Sequence, residues 1–101
     1  MRVIITVGPS EQVANAIDYG IVAEDPDTGM DMIEGSGWSC PESRYPTSPR
    51  AWVRRLRQHV TLPMMAREAG RRWADATVTP YGWSQGAGHA PQGIRIVWDL
   101  P

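Results

Sequence analysis

The sequence predicts an α+β fold: a small, mostly antiparallel sheet with a two-helix hairpin and a short N-terminal helix packed on one face. Three observations lead there. Val3, Ile5 and Val7 near one end, and Ile94, Ile96, Trp98 and Leu100 near the other, recur at the two-residue period of half-buried strands. Between them, Trp52, Val53, Leu56 and Val60 follow the 3.6-residue period of an amphipathic helix. Neither a repeat nor a linker divides the 101 residues, so the expectation is one domain over 1–101.

Taken in order, the β-branched run from Val3 to Val7 reads as a strand that Gly8-Pro9 stops. Ser10 is a capping residue, and Val13, Ala14, Ile17 and Ile21 recur at helical spacing until Gly20 offers a left-handed stop, which predicts the short N-terminal helix. Ile21 to Glu24 and Met30 to Ile33 flank Asp25-Pro26-Asp27-Thr28-Gly29, whose proline, aspartates and glycine suit a hairpin loop. Residues 35–48 lack any period and are dense in Gly, Ser and Pro, so a long loop is expected there.

Ser48-Pro49 then opens a helix, with serine as the cap and proline in the first turn. Thr61 is placed to cap a second helix reaching Asp75, with Leu62, Met65, Ala66, Ala69 and Trp73 as its buried stripe and Glu68/Arg72 as an i,i+4 pair. The Ala66-to-Gly70 spacing resembles the first helix and turn of a helix-turn-helix. Arg71-Arg72-Trp73 and then Pro80 come next, however, where that motif needs a recognition helix, and the apolar stripe carries one helix through Gly70. Ala76 to Tyr81 reads as a strand weakened by Pro80, residues 82–93 as a Gly/Pro loop, and Gly93 to Leu100 as the last strand.

Charge is divided unevenly. All ten basic residues are arginine and the net charge is −1, but residues 1–49 sum to −6 and residues 50–101 to +5. Two halves of opposite sign either dock on each other or present surfaces to different partners, and they would permit head-to-tail self-association. The absence of lysine and phenylalanine, with one asparagine, is the bias of GC-rich coding, as in actinobacteria and their phages. No stretch is apolar enough to span a bilayer, and the first residues turn polar too soon for a signal peptide, so no membrane partner and a cytoplasmic or virion location are expected. A single cysteine, Cys40, fits a reducing compartment.

Catalytic and metal motifs fail on context. Gly82-Trp83-Ser84-Gln85-Gly86 matches the G-x-S-x-G of hydrolases. Pro80 interrupts the strand before it, His89 and Asp99 come in the wrong order, and too little chain remains for a doubly wound sheet. Cys40, His59 and His89 lack any paired ligand spacing, and Asp25, Asp27 and Asp31 lack the glutamate that a calcium loop needs at its twelfth position. No metal and no cofactor is therefore expected. His59, at the edge of the apolar helix face, is expected to pack, and Cys40, with no basic neighbour in sequence, to be unreactive.

The remaining features point to binding. Arg50, Arg54 and Arg57 share one helix face, Arg67 and Arg71 lie on the next helix, and Trp38 and Trp83 sit in loops beside Tyr45 and His89. Arginine and large loop aromatics are favoured at protein interfaces. The expectation is a small non-enzymatic accessory protein, a host-factor modulator or an assembly subunit, that binds a protein partner or itself through these residues. The alternative is nucleic-acid binding through the same arginines, and a serine hydrolase ranks last.

Overall fold

The computed structural model describes residues 1–82 and 93–101. Its frame is a five-stranded sheet of β1 (Arg2–Pro9), β2 (Ala16–Asp25), β3 (Gly29–Ser39), β4 (Thr77–Tyr81) and β5 (Gly93–Asp99). The strands lie in the order β3-β2-β1-β5-β4, and every neighbouring pair is antiparallel. One substantial helix, α1 (Pro49–Arg57), packs on one face against β1, β4 and β5. A single turn, α2 (Met64–Glu68), and two 3-10 turns at Glu42–Arg44 and Trp73–Asp75 complete the described structure. Among the described residues no helix is long and apolar enough to cross a membrane.

The expected short N-terminal helix is therefore a strand. Ser10 does cap, its Oγ accepting from the N–H groups of Gln12 and Val13, but what it caps is the turn between β1 and β2. Asn15, at φ +54°, brings the chain out of that turn, and Ser10 N–H donates to the Ala16 carbonyl to close it. The spacing of Ile17 and Ile21 fits a strand as well as a helix, because a separation of four suits both periods. As a strand the segment buries both isoleucines, each contributing about 1.5–3 kcal/mol, and gains a full ladder with β1.

The expected two-helix hairpin is also overturned, because the second helix stops after one turn. Pro63 stands at its N-cap in place of Thr61, and the chain leaves the helix through Gly70 at φ +74°. Gly70 N–H donates to the Arg67 carbonyl and Arg71 N–H to the Ala66 carbonyl, the paired bonds of a glycine-terminated helix end. With the helix ended, Glu68 and Arg72 do not pair. Arg72 instead approaches Asp75 at 3.8 Å.

The segment expected to be a long loop from residue 35 belongs to β3 as far as Ser39. Gly37 makes this possible: a Cβ there would collide with the Ile17 carbonyl oxygen of β2. The hairpin loop itself is as its composition suggests, with Gly29 at φ +91° and Asp27 N–H donating to Asp25 Oδ1 at 2.8 Å.

The core lies between α1 and the sheet. Val3, Ile5 and Val7 of β1, Ile17 and Ile21 of β2, and Ile94, Ile96 and Trp98 of β5 pack with Trp52, Leu56, Val60 and Ala66. Register places the alternate residues on the other face, where Met32, Val22, Ile4 and Val97 form an apolar row across four strands. Ile4 is shielded within that row, while Met32 at its end is 69% exposed.

Candidate partner-binding surface

The strongest site-forming element is α1, and its sequence explains why. Ser48 Oγ accepts from Ala51 N–H at 3.2 Å, Pro49 occupies the first turn without losing a hydrogen bond, and Trp52 and Leu56 bury the inner face. Burial of that face turns Arg50, Arg54 and Arg57 to the outside along one side of the helix. Three arginines in the last turn, Arg54, Arg55 and Arg57, also complement the helix dipole, a structural role that needs no partner.

These three outward arginines line one groove. Its floor and walls are Pro49, Val53 and Gln58 of the helical segment and Val78 of β4, enclosing about 780 Å³. No carboxylate lines it, and among the described residues none of the three arginines forms an ion pair. Arg57 is partly engaged, its guanidinium lying 5.7 Å from the centre of the Trp73 ring. Arg50 and Arg54 are exposed above the apolar floor.

The other candidate residues are placed elsewhere. Arg67 is exposed on α2, and Arg71 lies just past the turn with its Nε buried and without a partner among the described residues. Neither lines the α1 groove. Trp38 lies at the end of β3, where its indole stacks on His59 with centroids 3.9 Å apart, and Tyr19 lies 6.2 Å away. Tyr45 is tied to the start of β2: its hydroxyl donates to the Ala16 carbonyl at 2.9 Å and accepts from Ala16 N–H at 3.1 Å. Both aromatics are thus used in packing the chain on itself. Trp83, Ser84 and His89 lie outside the described residues. The last strand before them is β4, which among the described residues pairs with β5 in antiparallel register.

Sequence reasoning missed Arg55. Its Nη1 donates to Cys40 Sγ at 3.4 Å, so the thiol expected to lack a basic neighbour has one across fifteen positions. Spacing along the chain carries no sign of this, because the contact depends on β3 delivering Cys40 beside α1. Cys40 is only 3% exposed. Among the described residues no three His, Cys, Asp or Glu side chains are grouped to hold a metal ion.

Among the described residues no arginine of the basic half forms an ion pair with a carboxylate of the acidic half. The two pairs among the described residues are Arg2–Asp99 at 2.7 Å and Arg72–Asp75. The first joins a basic residue of the acidic half to an acid of the basic half, the reverse of the pairing that docking by charge would require. From β2 to β3 the chain carries Asp18, Glu24, Asp25, Asp27, Asp31 and Glu34 and no basic residue. The acidic edge and the arginine groove therefore lie on the two flanks of the sheet, β3 at one and β4 at the other. Compared with protein-family models, with curated proteins and with solved structures, the chain matches none, so its functional reading is built on this geometry.

Proposed function

We propose that this chain is a small non-enzymatic accessory protein that binds another protein through the arginine-lined groove between α1 and β4. The observation that carries the reading is Arg50 and Arg54, exposed beside an apolar floor of Pro49, Val53 and Val78 and without a carboxylate partner among the described residues. Charged rims around an apolar floor suit a segment that alternates acidic and apolar side chains, since arginine pairs with carboxylates while the floor takes the rest. A nucleic-acid strand would use the same arginines, but the net charge is −1 and Arg67 and Arg71 do not line the groove.

Fluorescence anisotropy with a labelled peptide of alternating Glu and Val, a labelled DNA duplex and a labelled single strand separates these readings. Binding of the peptide, weakened in Arg50→Ser/Arg54→Ser, is the expected result. Binding of either DNA with a steep salt dependence that the same variant flattens would replace protein by nucleic acid as the partner. If none of the three probes binds, the groove is a solvated helix face.

A further inference from the structure

From the two flanks of the sheet we infer that the partner of this groove is a second copy of the chain, whose acidic β3 edge docks beside β4 in a head-to-tail arrangement. The inference rests on the reading of the groove as a protein-binding site and names what fills it.

Charge complementarity carries it. Among the described residues β3 pairs only with β2, and β4 only with β5, so each flank presents an edge strand. On β3 the register sets Asp31 opposite Ala23 and Glu34 opposite Ile21, and Ile21 is buried in the core beneath α1. Asp31 and Glu34 therefore stand on the same side of the sheet as α1. Arg50 and Arg54 stand on that side above the β4 flank. A second copy placed flank to flank, with its helix on the same side, brings its Asp31 and Glu34 toward these arginines. Neither carboxylate forms an ion pair among the described residues, and only Glu34 is otherwise occupied, accepting from the Tyr19 hydroxyl.

Topology fixes the direction of such a junction. Four successive antiparallel pairings make β3 and β4 run the same way, so copies sharing one helix side meet through a parallel β4–β3 contact. Pro80 offers no N–H, which confines backbone pairing on that flank to the Thr77–Thr79 end of β4. The bulge between Ile21 and Val22 similarly limits how far β3 runs straight. The contact is accordingly short, with charge contributing much of its specificity. Because the two surfaces differ, the arrangement is heterologous and leaves a free groove at one end and a free acidic edge at the other. Chains of graded length, rather than a closed dimer, result from it.

Sedimentation velocity across a concentration series tests the idea. Species that grow with concentration at about 0.01 M salt and dissociate at about 1 M are expected, since the Debye length falls from about 30 Å to about 3 Å. Arg50→Ser/Arg54→Ser should weaken association about tenfold, and so should Asp31→Asn/Glu34→Gln, in which residue 34 still accepts from Tyr19. The deciding arm mixes the two variants. One retains an intact acidic edge and the other an intact groove, so the mixture should form a one-to-one dimer of wild-type affinity that grows no further. All four positions are exposed, and circular dichroism melts confirm that each variant is folded. A wild type that stays monomeric at low salt, variants that associate as the wild type does, or a mixture that stays monomeric each overturn the inference. If the protein stays monomeric while the Glu-Val peptide still binds, the groove reading stands and the second copy is not its occupant. If the peptide also fails to bind, both readings fall.

Discussion

The Trp38 indole lies flat on the His59 imidazole, 3.9 Å between centroids and 9° between planes. Trp38 closes the outer strand β3, and His59 lies just past the end of α1, so the stack fastens the acidic flank of the sheet to the helical segment. Contacts between α1 and the strands fall mainly on β1, β4 and β5, and on the opposite side this stack joins the Arg55–Cys40 contact in holding the end of β3 to the helical segment. Trp38→Ala should cost about 2–4 kcal/mol through lost burial, and His59→Ala about 1 kcal/mol through lost stacking. Urea unfolding of both variants and of the double variant checks this. Strict additivity of the two losses would show that the rings do not interact in solution.

Arg55 and Cys40 give a second measurable contact. With the thiol 3% exposed and Arg55 Nη1 3.4 Å from its sulfur, a thiol reagent should reach Cys40 only when α1 lifts from the end of β3. Labelling in native buffer should therefore be slower than in denaturant by several orders of magnitude, in line with the opening free energy. Arg55→Ala removes part of the cover and should speed native labelling about tenfold, while labelling in denaturant stays unchanged. Native labelling as fast as that of a free thiol would contradict the burial.

How far the sequence could be read depended on whether a signal was local. The start and the faces of α1 were legible, from the Ser48 cap to the outward row of Arg50, Arg54 and Arg57, because capping and periodicity are local properties, but the helix ends at Arg57 and not at Val60. The hairpin loop at Asp25–Gly29 was legible for the same reason. Residues 16–25 were not, since Ile17 and Ile21 satisfy both periods and pairing with β1 decides between them. Glycine is ambiguous in two places. Gly20 suits a helix stop by its spacing but sits within β2 opposite Thr6, whereas Gly70 lies inside an apolar stripe but is a true stop at φ +74°. At the candidate site the arginine row was visible, but its opposite wall, Val78, and the Arg55–Cys40 contact are long-range and leave no trace in spacing.

Two glycines should respond differently to alanine. At Gly70 the cost is conformational: nothing lies within 4 Å of an added Cβ, but φ is +74°, so Gly70→Ala should lose about 1–2 kcal/mol. At Gly93 the obstacle is steric, since an added Cβ would meet the Val7 carbonyl oxygen and Gly8 Cα of β1. Strand β5 is held between β1 and β4 and cannot shift away, so Gly93→Ala should cost about 3 kcal/mol. Guanidinium unfolding gives both values, and a Gly93 variant as stable as the Gly70 variant would argue against the tight β1–β5 approach.

Tyr19 and Glu34 join β2 to β3 through a hydrogen bond of 2.9 Å, the phenol donating to Oε1. Burial chiefly, then this bond and the charge of Glu34, hold the Tyr19 phenol above its ordinary 10.0. The folded chain thus keeps a proton that the unfolded chain releases, so stability declines as pH rises between the two values. The contribution is complete below the unfolded pKa and is lost once the folded phenol ionises, beside a carboxylate that then repels it. Melting temperatures of the wild type should accordingly fall more steeply from about pH 9 to about pH 11 than those of Tyr19→Phe, in which this proton is absent. Because the two proteins differ only at residue 19, the difference between the two curves isolates Tyr19. Glu34→Gln should reduce the difference without abolishing it, since burial is the largest cause and the amide oxygen still accepts. Superimposable curves for the wild type and Tyr19→Phe would show that the folded chain does not hold the Tyr19 proton above its ordinary value, against both the burial and the bond.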